Sequence, residues 1–365
     1  MLVEWIHLTS FRSYPDLRFE PEHGINVLVG ANAAGKTNVL ESIGYLGTGR
    51  SFRRVPDADL VGEGSDAAVL RGEVELPGST SLIEVEIPRE GRRRMQVNRN
   101  RVGRTADLAE HLRTVVFQPD DLDVVKRSPS YRRAFLDEAA VQLWPVAHQD
   151  LAEYERSVRQ RNALLKQMGR RTDRPTLEVW NQRVAVAGAR VMARRVATMA
   201  ALGEPAERAY EGLAGGSAAI SFAYQSSWGS SPGDGGGVAE WEARLWEALE
   251  ASSAEDMDRR VTTVGPHRDD PALHIDGRDT RTRVSQGEQR SLVLALRLAQ
   301  QEAISARLGH PAVMLLDDVF SELDGARAAA LASALPPGQA FISTARDEEV
   351  PLEGRRWSVR PGSVT

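Results

Sequence analysis

The stretch INVLVGANAAGKTNVLESIGYL, residues 25–46, constrains the fold of this chain more than any other. Residues 25–29 are apolar and predict a strand. Gly30-Ala31-Asn32-Ala33-Ala34-Gly35-Lys36-Thr37 then fits the pattern G-x-x-x-x-G-K-[ST]. A helix follows, with Val39, Leu40 and Ile43 on its buried side. In a strand–loop–helix setting the loop's backbone N–H groups and the helix N-terminus wrap a polyphosphate. Lys36 is placed to contact its β- and γ-phosphates and Thr37 to hold Mg²⁺. The loop through Asn38 is therefore assigned to nucleotide binding. A compact ammonium fits this cradle where a planar guanidinium does not. That matters because the basic residues here are 43 arginines and only three lysines, Lys36, Lys126 and Lys166.

A second strand is predicted in PAVMLLDDVFSELD, residues 311–324. Val313 to Leu316 read as a strand buried on both faces. Two aspartates follow, at the strand end where open α/β sheets place ligands. Asp317 is the expected Mg²⁺ partner and Asp318 the expected base that orients attacking water. Asp324 has an alternative reading, as the cap of a helix starting near Gly325.

Composition bounds the setting. The 365-residue chain has a net charge of −5, so any nucleic-acid surface must be a local patch. It lacks cysteine, which excludes disulfides and thiolate metal sites. Neither a signal peptide nor a run able to span a bilayer is apparent, and a cytoplasmic protein with no membrane partner is expected.

Ser285-Gln286-Gly287-Glu288 opens a third helix, with Leu292, Ala295, Leu296 and Ala299 forming its buried stripe. Ser285 and Glu288 have the spacing of a capping box. Gly287 is not explained by capping, since glycine costs about 1 kcal/mol in a helical turn. It is explained if a ligand must approach the backbone at a helix N-terminus, a second phosphate grip.

Two phosphate grips in one chain resemble the ABC-type ATPases, where the second acts on the nucleotide of another subunit. SQGEQR is similar to that family's signature motif, LLDDVFSELD to its Walker B and D-loop, and VVFQPDDL to its Q-loop. The last implies a catalytic and metal-contacting role for Gln118. The opening LTSFRSYPDLRFEP resembles the start of SMC-type repair ATPases and implies that Arg12 and Ser13 reach the nucleotide. SMC proteins carry long coiled coils between phosphate loop and signature. Here roughly 250 residues intervene without sustained heptads. GTGRSFR, YRRAFLDEAA, TTVGPHRDD and SQGEQRSLVLAL together resemble the RecF family, from Trp5 to about Arg346.

The resemblance implies an α/β, ABC-type P-loop ATPase head with an inserted, mostly helical second lobe and no long coiled coil. Residues 1–118 and 305–365 form the nucleotide lobe in this reading. Residues 119–304 form the helical lobe, including the signature. It further implies a weak, DNA-dependent ATPase that dimerises around ATP, clamps duplex or gapped DNA, and loads recombinase with RecR- and RecO-type mediators. Two departures bear on turnover. Asp318 stands where many ABC ATPases have glutamate, and Ser343 and Thr344 where they have a switch histidine. The rivals are an SMC-like chromosome organiser and the cytosolic ATPase of a membrane transporter.

Within the helical lobe, 131–144, 151–168 and 177–202 read as helices, 229–237 as a loop, and AEWEARLWEALEA as a short helix. SLIEVEIP and RRMQVN bracket Gly91 as a hairpin. Arg89, Arg92, Arg93, Arg94, Arg99, Arg101 and Arg104 face only Glu90 within 89–104, a basic stretch able to follow a phosphate backbone or to be a solvated hairpin. Arg156, Arg159, Arg161, Arg170 and Arg171 are a second candidate for DNA. His267 and Arg268 lie in the matched segment TTVGPHRDD without a role derivable from chemistry.

Overall fold

The computed structural model describes residues 1–168, 174–216, 218–229 and 237–365. Two compact units divide the chain. The first comprises Met1–Asp121, Arg208–Gly216 and Leu294–Thr365. The second comprises Leu122–Glu207 and Ser217–Val293.

In the first unit a helix lies between two sheets. One is antiparallel, in the order Tyr14–Phe19, Leu2–Phe11, Ala67–Leu76, Ser79–Pro88, Arg94–Val97, Asn100–Val102. Its strands alternate buried and solvent-facing residues, as the sequence of Ser79–Pro88 does. The other has the order Ser363–Val364, Arg355–Arg360, Ile25–Val29, Ala340–Thr344, Val313–Asp317, Thr114–Phe117. The last five run parallel to their neighbours. Val313–Asp317 is buried along its whole length, as expected of a strand covered on both faces.

The intervening helix is Lys36–Thr48. Val39, Leu40, Ile43 and Leu46 join one core with Leu70 and Val85 of the antiparallel sheet and Leu315 and Phe341 of the parallel sheet. The fit is tight: a Cβ on Gly47 would lie 2.8 Å from the Leu112 carbonyl oxygen. The helix that follows the phosphate loop is thereby clamped on two faces, and its N-terminus is held against the strand ends.

The second unit contains Pro129–Leu143, Ala147–Met168, Val238–Ala251 and Ser253–Arg259, with a small sheet of Arg278–Asp279, Asp270–Ile275 and Ile220–Gln225. The long helix Arg174–Ala214 corrects the expected end at residue 202. Pro205 lies inside the helix and removes one backbone donor. Yet Leu202, Ala206, Tyr210 and Leu213 are all buried, a stripe at helical spacing that carries the helix past the proline. Long paired helices of a coiled coil are not found among the described residues. Nor is any described helix long and apolar enough to cross a membrane. Arg170, Arg171 and most of the loop at 229–237 lie outside the described residues.

Candidate nucleotide site

Four parallel strands end side by side. Ile25–Val29 runs into the phosphate loop, Ala340–Thr344 ends in two hydroxyls, Val313–Asp317 ends in the aspartate pair, and Thr114–Phe117 leads to Gln118. The register pairs Asp317 with Ser343 and Leu316 with Phe117, so Gln118 follows at the level of Asp317. Parallel topology thus brings together residues nearly three hundred positions apart.

The phosphate loop adopts the backbone its glycines permit. Gly35 has φ +112, a left-handed conformation that disfavours a side chain, and a Cβ there would lie 2.6 Å from the Tyr14 hydroxyl oxygen. At Gly30 the limit is space, because a Cβ would meet the Val359 carbonyl oxygen at 2.4 Å. The Lys36 ammonium donates to the carbonyls of Gly30 (2.8 Å) and Ala31 (3.0 Å), folding back over its own loop. Burial lowers its pKa, and the charges of Asp318 and Asp317 oppose that shift.

Thr37 and Asp317 meet. The threonine hydroxyl donates to Asp317 Oδ1 at 2.8 Å, and the Ser343 hydroxyl donates to the same oxygen at 2.7 Å. Burial raises the Asp317 pKa, while the bonds from Ser343 and Thr37 hold it down. A hydroxyl and a carboxylate in contact are the hard oxygen donors that suit Mg²⁺, which takes few protein ligands and completes its shell with phosphate and water. Among the described residues no group of three or more acidic, histidine or cysteine side chains is placed to hold a metal ion.

Asp318 differs from its neighbour. It has φ +52, uncommon for a residue with a side chain, and its backbone N–H donates to Ser343 Oγ at 2.9 Å. Its Oδ1 is buried with no hydrogen-bond partner in the protein. Asp318 thus combines a left-handed backbone with an unpaired buried carboxylate oxygen at a strand end. Asp324 caps the helix Gly325–Ala334 by accepting from the Arg327 N–H at 2.9 Å, the structural role the sequence allowed. Thr344 is turned to the Arg346 carbonyl (2.9 Å) and Glu349 (3.0 Å).

A cavity of about 530 Å³ opens over the loop, lined by Gly35, Lys36, Thr37 and Asn38 together with Arg12, Ser13, Arg53, Asp59 and Val61. The turn between the first two strands reaches it in three consecutive grips. The Asn38 amide donates to Ser13 Oγ at 2.9 Å, Tyr14 O–H donates to the Gly35 carbonyl at 3.2 Å, and Arg12 meets Glu41. Sequence reasoning named Ser343 only as a stand-in at the switch-histidine position, without its tie to Asp317, and missed Arg53, Asp59 and Tyr14. That tie becomes visible only once the parallel register of Ser343 with Asp317 is known; Tyr14 sits inside FRSY, where hydroxyl spacing carries no signal of its own.

In the second unit, Ser285 and Glu288 form the reciprocal capping box. The Ser285 N–H donates to Glu288 Oε2 at 2.7 Å and the Glu288 N–H to Ser285 Oγ at 3.3 Å, at the start of Gln286–Leu308. These bonds, with Arg278 3.0 Å from the carboxylate, hold the Glu288 pKa below its ordinary value. Ser285 and Gln286 are exposed at the N-terminus of a 23-residue helix.

The basic stretch splits. Arg93 donates to the Gly49 carbonyl (2.6 Å), Asp57 (3.0 Å) and the Tyr45 hydroxyl (3.2 Å). Arg89 donates to the carbonyls of Ser65 and Gly62, and Arg94 pairs with Glu86 at 3.2 Å. Arg92, Arg99 and Arg101 are exposed. Arg99 sits with Asn98 at positive φ in the turn between the last two strands of the antiparallel sheet. Of the second candidate set, Arg161 is a correction: it is fully buried against Asp256 at 2.6 Å and cannot meet DNA.

The chain is similar to known proteins over nearly its whole length. A family profile described as RecF/RecN/SMC N terminal domain matches residues 2–354. The DNA replication and repair protein RecF of Kineococcus radiotolerans is 39% identical over 372 residues, spanning 96% of this chain and 94% of its own length. That of Acidothermus cellulolyticus is 39% identical across 100% of this chain and 99% of its own. A solved structure of the recombination mediator protein RecF–ATP in the RecFOR pathway superposes with a TM-score of 0.92 at 29% identity, over 100% of this chain and 97% of that one. An SMC head bound to the C-terminal winged-helix domain of ScpA matches at 18% identity and a TM-score of 0.56, a likeness of fold alone.

Proposed function

Because the chain belongs to the RecF/RecN/SMC family, and within it to the RecF proteins, we propose that it is an ATP-dependent DNA-binding protein of recombinational repair. ATP binding drives dimerisation of two copies on duplex or gapped DNA, and slow hydrolysis releases them. The observation that carries this reading is the row of polar groups at the C-terminal ends of four adjacent parallel strands: phosphate loop, Asp317 with Thr37 and Ser343, Asp318, and Gln118.

In this reading Lys36 leaves the Gly30 and Ala31 carbonyls for the β- and γ-phosphates, and the loop N–H groups from Ala31 to Asn38 receive the remaining phosphate oxygens. Thr37 and Asp317 hold Mg²⁺, assisted by Gln118; the ion, when bound, neutralises charge on the phosphates. Asp318 orients and deprotonates the attacking water with its unpaired oxygen. Arg12 and Ser13 contact the nucleotide from the other wall. Ser285 and Gly287 grip the γ-phosphate held by a second copy, so each complete site draws on both chains. The names of the relatives support recombination mediators of RecR and RecO type as partners. Exposed Arg92, Arg99 and Arg101 are the candidates for phosphate-backbone contact.

The composite site has a direct test. Lys36→Met and Ser285→Arg homodimers are each expected to be inactive. In an equal mixture with random exchange, half the dimers are mixed, and one of the two sites in each has both an intact Lys36 and an intact Ser285. ATPase activity should return to roughly a quarter of wild type if the sites act independently. No recovery, with subunit exchange confirmed, would mean that each site is completed within one chain.

A further inference from the structure

Glu41 lies on the second turn of the phosphate-loop helix, and its side chain is entirely buried. A buried carboxylate is costly unless its charge is met. It is met by Arg12: Nε donates to Oε2 at 2.9 Å and Nη2 to Oε1 at 3.0 Å, a two-bond fork. The Ser51 hydroxyl donates to Oε1 as well. Three segments therefore converge on one side chain: the turn after the first strand, the phosphate-loop helix, and the segment that follows that helix.

Arg12 is held in a conformation it would not choose alone. Its φ is +53, left-handed, and Nη1 is tied to the Asp59 carbonyl at 3.0 Å. Three of its five N–H donors are thus engaged. Arg12 nevertheless lines the cavity over Lys36. Paired with Glu41, it brings directed donors to the cavity rather than net positive charge.

We infer that Glu41 is a positioning residue for nucleotide binding, fixing Arg12 so that its remaining donors face ATP in the cavity. This rests on the reading of Arg12 as a nucleotide contact. Substituting Glu41 should then act through Arg12 and on binding, not on the chemical step carried by Asp318.

The test is a double-mutant cycle on ATP affinity, measured by calorimetry with a non-hydrolysable ATP analogue, together with KM and kcat. Glu41→Gln is expected to weaken binding and raise KM about tenfold, the scale of a charge-assisted hydrogen bond, with kcat within twofold of wild type. Arg12→Ala should weaken binding at least as much. In the Arg12→Ala background Glu41→Gln should have no further effect. If Glu41→Gln does not fold, Ser51→Ala serves, with an expected two- to threefold rise in KM only while Arg12 is present. Additive effects, or an unchanged affinity in Glu41→Gln beside a weakened Arg12→Ala, overturn the positioning role alone. Wild-type affinity in Arg12→Ala removes the nucleotide contact and the positioning role with it.

Discussion

The cluster around Asp317 and the cluster around Asp269 use the same kinds of residue, yet their charges point different ways. Near Asp269 they point at one another. Asp269 accepts from the Tyr224 hydroxyl and the Ser227 N–H, both at 2.8 Å. Arg195 forks onto Asp137 at 2.7 and 2.9 Å and donates to the Pro266 carbonyl at 2.6 Å. Elsewhere in the same unit Arg161 meets Asp256, and Asn181 accepts from Arg161 Nε at 2.7 Å, with only Nη2 left over. Near Asp317 the ammonium of Lys36 is left to the carbonyls of its own loop, and Asp318 keeps an unpaired buried oxygen. Charge paired within the fold is structure, whereas an ammonium given only its own loop's carbonyls and a carboxylate oxygen given no donor are free to take a ligand.

The largest effect should come from the unsatisfied side. Asp318→Asn keeps shape and leaves Asp317 with Thr37, so ATP binding should survive while hydrolysis falls about 10²–10⁴-fold. Single-turnover rates with equilibrium binding measured alongside check this. Hydrolysis at the wild-type rate would end the assignment of Asp318 as base. On the satisfied side, Asp256→Asn strands the buried Arg161 charge. It should cost about 3–5 kcal/mol in urea unfolding, with ATP affinity of the folded protein unchanged. A loss of ATP affinity at unchanged stability would blur the distinction between the clusters.

His267 sharpens the comparison through pH. Its Nε2 lies 3.2 Å from the Thr262 carbonyl, which can only accept, so Nε2 carries the proton and Nδ1 accepts from the Tyr154 hydroxyl at 2.7 Å. Burial, with nearby Arg268 and Arg133, pushes its pKa down to about 4. The unfolded chain therefore binds a proton near pH 6.5 that the folded chain refuses until about pH 4. Stability from this group is complete above pH 6.5 and is lost as pH falls toward 4, by about 3 kcal/mol. Asp269, whose pKa burial raises, contributes with the opposite sign, so the comparison must be made against a variant. His267→Gln should show a smaller loss of unfolding free energy between pH 7 and pH 5 than wild type. Parallel pH profiles would mean that His267 is not held neutral.

What the sequence disclosed follows from how far apart the cooperating residues lie. The phosphate loop is local: its glycines, Lys36, Thr37 and flanking elements occupy one short run, and the structure brings Asp317 to Thr37 as the motif requires. Asp324 and the Ser285–Glu288 box are also local, and both form. The partners of Ser343, Glu41 and Tyr154 could not be read because they come from strand register or helix packing. Arginines were the least legible of all. With 43 in the chain, residue type alone does not separate Arg161, wholly buried, from Arg156, exposed on the same helix. The helix end misplaced at residue 202 is a related failure, since a buried stripe carries the helix on past Pro205.

The smallest predicted effect applies the same distinction within one hairpin. Arg93 is turned inward, to the Gly49 carbonyl at the end of the phosphate-loop helix and to Asp57 and Tyr45. Arg92, Arg99 and Arg101 face solvent. If the outer three follow a phosphate backbone, replacing them together by Ala should reduce the slope of log K for duplex DNA against log salt by about 2–3, roughly 0.9 for each phosphate no longer neutralised. Thermal stability should stay near wild type, because surface substitutions of this kind usually fall within about 0.5 kcal/mol. Arg93→Ala should do the reverse. It removes three hydrogen bonds at a helix end, so unfolding free energy should drop by about 1–2 kcal/mol while the salt slope stays as it was. Titrations at several salt concentrations, beside melting curves of the same proteins, separate the two. A slope unchanged in the triple variant would move the DNA surface off this hairpin. A slope flattened by Arg93→Ala at wild-type stability would return Arg93 to the outer set, because a side chain that binds DNA at no structural cost cannot also be the pin that holds the hairpin to the helix.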